Sequence, residues 1–123
     1  MNKTVLIADD SMFMRNYIKQ IVVDNNFQVV AEASNGYEAI DKYKQFSPHL
    51  VLMDITMPRM NGLDALKEIQ KVNPLARVVM CSSLGQKSII FEALRHGAYD
   101  FVVKPYFNNL VSILQSIDEH NSF

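Results

Sequence analysis

The sequence predicts a doubly wound α/β domain, in which helices cover both faces of a parallel sheet. Three observations support this prediction. Five short apolar runs alternate with five amphipathic segments, the connections between them are only a few residues long, and turn-forming residues bound the runs. Five such units leave a sheet open, whereas eight would suggest a closed barrel. We therefore expect one domain that spans residues 1–123, with no second domain.

The strand candidates are apolar runs of four or five residues, a pattern that is typical of strands buried on both faces. Crossover handedness leaves few topologies, and among these we expect the flavodoxin-like strand order 2-1-3-4-5. In that order the first and third strands are neighbours, so their carboxyl ends meet at one edge of the sheet. The five candidates are Thr4–Ala8, Gln28–Ala31, Leu50–Met53, Arg77–Cys81 and Tyr99–Val103.

The helix candidates combine helical spacing of apolar residues with signals at their ends. Ser11 is a plausible N-cap, and Glu38 stands three residues after Asn35, at the reciprocal position of a capping box. The third helix should begin near Asn61-Gly62, and Gly97 should end the fourth as a C-terminal cap. The spacing is carried by Met14, Ile18, Ile21 and Val22, by Ala39, Ile40 and Tyr43, by Leu63, Leu66 and Ile69, by Ile89, Ile90, Ala93 and Leu94, and by Leu110, Ile113, Leu114 and Ile117.

The composition excludes several classes of protein. With 12 basic and 13 acidic residues the net charge is −1, which gives no electrostatic basis for nucleic-acid binding. The single cysteine, Cys81, excludes an intrachain disulfide and fits a reducing compartment. No apolar stretch approaches the roughly 18 residues of a membrane span, and the first strand begins too early for a signal peptide. We therefore expect a cytoplasmic protein without membrane partners.

Carboxylates follow two of the predicted strands. Asp9 and Asp10 follow the first strand and Asp54 follows the third, so the expected strand order brings three acids to one place. Three acids this close require a metal ion, a proton or a lysine, and Lys104 after the fifth strand could supply part of the compensation. With a backbone carbonyl near Thr56, the carboxylates could form the all-oxygen shell that Mg²⁺ prefers.

The same arrangement suggests phosphoryl chemistry. A carboxylate such as Asp54 can attack a phosphoryl group and form an acyl phosphate, with catalysis supplied mostly by positioning and charge neutralisation. Lys104 would neutralise one phosphoryl oxygen, and the hydroxyl of Ser82 after the fourth strand could donate to another. Singly, an acid could cap a helix, a serine could be a loop residue and a lysine could be a solvated strand end. Their joint placement at matching strand ends favours the functional interpretation.

As a set, these residues resemble the signature of response-regulator receiver domains, over nearly the whole chain. The signature comprises Asp9-Asp10, Asp54 before Met57-Pro58, Ser82 after the fourth strand and Lys104-Pro105 after the fifth. Within that family, the segments around Asp54 and Ser82 are similar to those of single-domain chemotaxis regulators of Gram-positive bacteria. The resemblance implies a receiver domain without an output domain.

The resemblance also implies a role for each acid. Asp54 would accept a phosphoryl group from a phosphohistidine on a sensor histidine kinase. Asp9, Asp10, Asp54 and the Thr56 carbonyl would bind Mg²⁺, while the side chains of Thr56 and Leu84 would flank the phosphoryl group and tune its hydrolysis. The protein would be a signalling switch and not an enzyme, because it promotes only its own phosphotransfer and slow autodephosphorylation.

A switch is implied as well. Ser82 would move toward the phosphoryl group, Lys104 would pair with it, and the Lys104-Pro105 peptide bond would be cis. Phe101 would rotate inward as Ser82 shifts, and the surface of the fourth helix, fifth strand and fifth helix would bind a partner. That partner would be the flagellar motor switch protein or another downstream effector.

Three other functions stay open on the sequence alone. A single-domain phosphorelay intermediate would carry the same site. A phosphatase of the haloacid type would place its nucleophile in an Asp-x-Asp motif near the first strand, whereas Asp54 lies on the third. A flavodoxin would need a loop rich in glycine or hydroxyl groups where this chain has the acidic Asp9-Asp10-Ser11.

Overall fold

The computed structural model describes residues 3–83, 85–105, 107 and 109–120, and these form five strands and five helices in strict alternation. The strands are β1 (Lys3–Ala8), β2 (Phe27–Ala33), β3 (Leu50–Asp54), β4 (Val78–Ser82) and β5 (Asp100–Val103). The helices are α1 (Met12–Asp24), α2 (Gly36–Phe46), α3 (Gly62–Val72), α4 (Lys87–Arg95) and α5 (Leu110–His120). None of the helices in these described ranges is long and apolar enough to cross a membrane.

All five strands are parallel and lie in the order β2-β1-β3-β4-β5, which confirms the predicted topology. β1 and β3 are neighbours, and Ala8 pairs with Met53 in their register. The residues that follow this pair therefore lie side by side at the carboxyl edge of the sheet. On the other side of β3, the last residue of β4 pairs with Val103, directly before Lys104.

The strand bounds differ from the predicted ones by one or two residues. β2 is longer than predicted at both ends, because Phe27, Glu32 and Ala33 also pair with β1. The polar Glu32 interrupts the apolar pattern on this edge strand. Asp54 and Ser82 belong to the strands that they were expected to follow, since both continue the ladder. Asp54 pairs with Cys81 in the register between β3 and β4.

The helix ends largely follow the predicted signals. The Ser11 hydroxyl accepts a hydrogen bond from the Met14 N–H at 3.2 Å, which confirms this N-cap. Gly97 follows α4 with a φ of +95°, a left-handed conformation that glycine adopts without strain. The predicted capping box is wrong in one partner, because the Glu38 carboxylate accepts from the Ser34 N–H at 2.8 Å instead of bonding the N–H of the N-cap itself.

The core consists of two apolar layers, one on each face of the sheet. Alternate residues of β3 enter different layers: Leu50 and Leu52 pack with α1 and α5, whereas Val51 and Met53 pack with α2, α3 and α4. This is the doubly wound arrangement, and it buries β3 completely. A central strand held on both faces provides a rigid base for the polar side chain at its end.

Candidate functional site

The candidate site lies at the carboxyl edge of the sheet, above β1 and β3. Asp9 directly follows β1 and is 1% exposed, Asp54 ends β3 and is 6% exposed, and Asp10 is exposed to solvent. One carboxylate oxygen from each of these three acids lies within 4.8 Å of the others. The structure therefore brings together the three acids that the sequence placed at neighbouring strand ends.

Asp9 is fixed by four hydrogen bonds. Its N–H donates to the Ala33 carbonyl at 2.9 Å, which extends the pairing of β1 with β2. Its carboxylate accepts from the Ser11 N–H at 2.9 Å and from Lys104 Nζ at 2.9 Å, and its carbonyl accepts from Arg15 Nη1 at 2.7 Å. Four partners leave this acid no freedom to turn, so it forms a fixed wall of the site. Arg15 is not among the residues that the sequence predicts for the site.

Lys104 bridges two acids. Its Nζ lies 2.9 Å from Asp9 Oδ2 and 3.3 Å from Asp54 Oδ1, and its side chain is only 13% exposed. The backbone holds it in place, since the Lys104 N–H donates to the Ser82 carbonyl at 2.8 Å, and the Lys104-Pro105 bond is cis as the resemblance implied. Burial lowers the pKa of Lys104, but the hydrogen bond to Asp9 and the charges of both acids outweigh it and raise the pKa overall.

Ionisation of Asp54 is opposed by its surroundings. The pKa of Asp54 is raised from 3.8 to about 6, because burial and the negative charges of Asp9 and Asp10 outweigh the opposing effect of Lys104. The positive charge of Lys104 therefore does not neutralise the negative charges of the three acids. The carboxylate is nevertheless ionised for the most part at neutral pH, which a nucleophile requires.

The donor set fits a hard divalent cation. It consists of three carboxylates within one small volume, two of them buried, and oxygen ligands of this kind suit Mg²⁺. Because burial and two neighbouring acids disfavour the ionised form of Asp54, additional positive charge would stabilise the site. Thr56 lies in the exposed loop two residues beyond Asp54, and the ligand role of its carbonyl stays a prediction.

The predicted switch residues lie on the neighbouring strands. Ser82 ends β4 and is 2% exposed, while Phe101 in β5 is 7% exposed and packs in the layer beneath α4. Their movement on activation stays a prediction, and Leu84 lies outside the described residues. Burial raises the pKa of the adjacent Cys81 thiol to about 12, so this cysteine is protonated and unreactive at neutral pH, as expected from its strand position.

Gly62 has a structural role that the sequence pattern does not reveal. Its N–H donates to the Ile55 carbonyl at 2.7 Å, and a Cβ at this position would overlap the carbonyl oxygen of Asp54. The absence of a side chain therefore lets α3 begin directly against the end of β3. The loop between them turns sharply, with Arg59 at a φ of +67°.

Three comparisons with known proteins agree with this geometry. The family of response regulator receiver domains matches residues 5–117. Chemotaxis protein CheY of Bacillus subtilis (strain 168) is 56% identical over 102 residues, which are 83% of this chain and 85% of that protein. CheY of Thermotoga maritima is 51% identical over 106 residues, which are 86% of this chain and 88% of that protein.

A solved structure shows the same fold. A chain in the crystal structure of the CheX-CheY-BeF3-Mg²⁺ complex from Borrelia burgdorferi superposes with a TM-score of 0.90 and is 35% identical in sequence. The similarity covers 94% of this chain and 89% of that one. The two chains therefore share the same overall fold.

Proposed function

Because the chain belongs to the family of response regulator receiver domains, we propose that it is a phosphorylation-activated switch of a two-component signalling system. Asp54 accepts a phosphoryl group from the phosphohistidine of a sensor histidine kinase. One observation carries this proposal: a buried, ionisable carboxylate ends the central strand beside a lysine and two further acids. The protein works in the cytoplasm, where a kinase of this class presents its phosphohistidine.

The transfer needs an ionised Asp54. A carboxylate oxygen attacks phosphorus, the phosphorus–nitrogen bond to the imidazole breaks, and its electron pair stays on the imidazole nitrogen. Lys104, already 3.3 Å from Asp54 Oδ1, is placed to pair with a phosphoryl oxygen, and the Ser82 hydroxyl donates to another. The phosphoryl group stays on the chain, so the protein is a single-turnover acceptor that also loses the group slowly to water.

The acidic cluster is also the proposed Mg²⁺ site. The carboxylates of Asp9, Asp10 and Asp54 would hold the ion together with the Thr56 carbonyl. When bound, Mg²⁺ supplies the positive charge that three acids and a dianionic phosphoryl group require. The chain's own contribution is to keep these oxygens together and to hold those of Asp9 and Asp54 largely out of water. The near-complete burial of Asp9 and Asp54 supports this assignment.

Phosphorylation is transmitted through β4 and β5. The new charge draws Ser82 and Lys104 toward Asp54, and Phe101, three residues before Lys104, rotates into the space that Ser82 leaves. The face formed by α4, β5 and α5 then binds the partner. Large apolar side chains that are exposed on these three elements or directly beside them support a docking role: Phe91, Leu94, Tyr99, Val103 and Val111.

The partner that we propose is the flagellar motor switch protein. The relatives from Bacillus subtilis and Thermotoga maritima are chemotaxis proteins, and the identity of this chain to them exceeds one half. Binding of the purified switch protein should tighten about tenfold or more when beryllofluoride and Mg²⁺ occupy the site. Equal binding with and without beryllofluoride would contradict the motor assignment and favour a phosphorelay intermediate that passes its phosphoryl group onward.

Labelling with radioactive acetyl phosphate in Mg²⁺ tests the acceptor. We expect the wild-type protein to be labelled, Asp54→Asn to remain unlabelled, and Asp41→Asn to be labelled normally. Asp41 is a matched control because it is an exposed acid on α2, outside the acidic cluster. Persistent labelling of Asp54→Asn would overturn the assignment of the acceptor.

A further inference from the structure

We propose that Arg15 is a positioning residue for the divalent cation at the Asp9, Asp10 and Asp54 site, an inference that rests on the proposed function. Arg15 lies in the first turns of α1, and its side chain is 15% exposed. Its Nη1 donates to the Asp9 carbonyl at 2.7 Å, and its Nε donates to Glu32 Oε1 at 3.0 Å. One guanidinium thus joins the acidic loop to the edge strand β2.

The bond to the Asp9 carbonyl controls the peptide group that leads to Asp10. The Asp9 N–H is already fixed by Ala33, so the contact from Arg15 fixes the orientation of the next peptide plane. Asp10 begins at that plane, and it is the exposed acid of the three. The direction of its carboxylate therefore depends on the backbone before it. Holding that backbone keeps the exposed ligand aimed at the two buried ones.

Glu32 makes this contact rigid. The Glu32 carboxylate binds Arg15 Nε at 3.0 Å and Lys19 Nζ at 2.8 Å, so it is held between two cations on α1. Glu32 itself pairs with Ile7 in the β1–β2 ladder, two residues before Asp9. The planar guanidinium spans both acceptors with separate N–H groups in a fixed geometry, which a lysine ammonium does not reproduce. Outer contacts that orient metal ligands in this way typically contribute about 10- to 100-fold to metal affinity.

Charge and positioning predict opposite effects for the loss of Arg15. A cationic side chain near a cation site repels the metal, so charge removal alone would strengthen Mg²⁺ binding. Loss of positioning would weaken it. Arg15→Lys keeps the positive charge but loses the two separate N–H groups of the guanidinium. Its effect on Mg²⁺ affinity therefore reports positioning alone. Lys19→Met is the matched control, because Lys19 shares Glu32 with Arg15 but bonds that carboxylate instead of the Asp9 backbone.

The test is a Mg²⁺ titration, followed by backbone amide NMR shifts, on the wild-type protein and on Arg15→Met, Arg15→Lys and Lys19→Met. The amide spectrum of each variant also shows whether it is folded. We expect the Kd for Mg²⁺ to rise about tenfold or more in Arg15→Met, severalfold in Arg15→Lys, and less than about twofold in Lys19→Met. A purely structural role would lower the free energy of unfolding and leave the Kd of the folded protein unchanged.

Each outcome decides the question. Wild-type affinity in Arg15→Lys, or equal or tighter binding in Arg15→Met, would overturn the inference while leaving the proposed function intact. If Arg15→Met does not fold, the charge-conserving Arg15→Lys decides alone. A wild-type protein that does not bind Mg²⁺ at all would instead overturn the proposed function, and the inference with it.

Discussion

Asp54→Asn keeps the shape of the side chain and removes a charge that burial and two neighbouring acids make unfavourable. The pKa of Asp54 rises from 3.8 to about 6 in the folded protein. One pKa unit corresponds to about 1.36 kcal/mol, so the ionised carboxylate destabilises the metal-free fold by about 3 kcal/mol at neutral pH. We therefore expect Asp54→Asn to raise the free energy of unfolding by about 1 to 3 kcal/mol in the absence of divalent cations.

The pH dependence has a defined sign. Because the pKa of Asp54 is raised on folding, the folded state binds more protons than the unfolded state between pH 3.8 and about 6. The destabilisation is therefore fully present above about pH 6 and disappears below pH 3.8. The stability advantage of Asp54→Asn should shrink to about 1 kcal/mol near pH 4.5. Added Mg²⁺ should also reduce the difference in the free energy of unfolding between Asp54→Asn and the wild-type protein, because it stabilises the ionised Asp54 carboxylate.

Urea denaturation followed by circular dichroism measures these differences. The wild-type protein, Asp54→Asn and Asp41→Asn are compared in a chelator near pH 7.5 and near pH 4.5, and again with Mg²⁺. The exposed control Asp41→Asn should stay within about 0.5 kcal/mol of the wild-type protein. The reasoning is refuted if Asp54→Asn is no more stable than the wild-type protein near pH 7.5 without metal.

Three further perturbations test neighbouring parts of the site. Without metal, Lys104→Ala should lower the free energy of unfolding by about 3 kcal/mol, because two buried acids lose their shared cation. The variant should still bind Mg²⁺, but beryllofluoride should no longer tighten its binding to the partner. If beryllofluoride tightened partner binding as much as in the wild-type protein, the proposed role of Lys104 in the switch would be contradicted. In urea denaturation, Gly62→Ala should lower the free energy of unfolding by at least about 3 kcal/mol, because its Cβ would overlap the Asp54 carbonyl. The control Gly85→Ala should lower it by less than about 1 kcal/mol, because a Cβ there meets only a side chain at 3.3 Å. Equal losses in the two variants would contradict this packing. Cys81, buried with a pKa of about 12, should react with a thiol reagent near neutral pH only after unfolding, and rapid native labelling would contradict its burial.

Strand order and the meeting of the acids could be predicted because both follow from a short pattern. Apolar runs such as Leu50–Met53 mark buried strands, and parallel strands end at the same edge of the sheet. The strand ends could not be predicted to the residue, because Asp54 and Ser82 are polar but still belong to the hydrogen-bonded ladder. A polar side chain at the carboxyl edge of the sheet can line a site while its backbone continues the strand.

Contacts made by long side chains could not be predicted in the same way. Arg15 reaches the Asp9 carbonyl across a helix turn, and Glu32 meets it from an edge strand 17 residues away in sequence. In the sequence, Arg15 is a basic residue shortly after the Asp9-Asp10 pair. Such a residue fits an ordinary solvated helix face equally well, so its position does not predict the contact. Glu38 shows the same limit, because the helix signal was correct while the bonded N–H belongs to Ser34.

A crystal structure with Mg²⁺ and beryllofluoride would show whether the three acids and Lys104 form one phosphorylation site. We expect a single metal ion bounded by carboxylate oxygens of Asp9, Asp10 and Asp54, with the beryllofluoride group attached to Asp54 and paired with Lys104. Metal density elsewhere, or a beryllofluoride group bound away from Asp54, would contradict it.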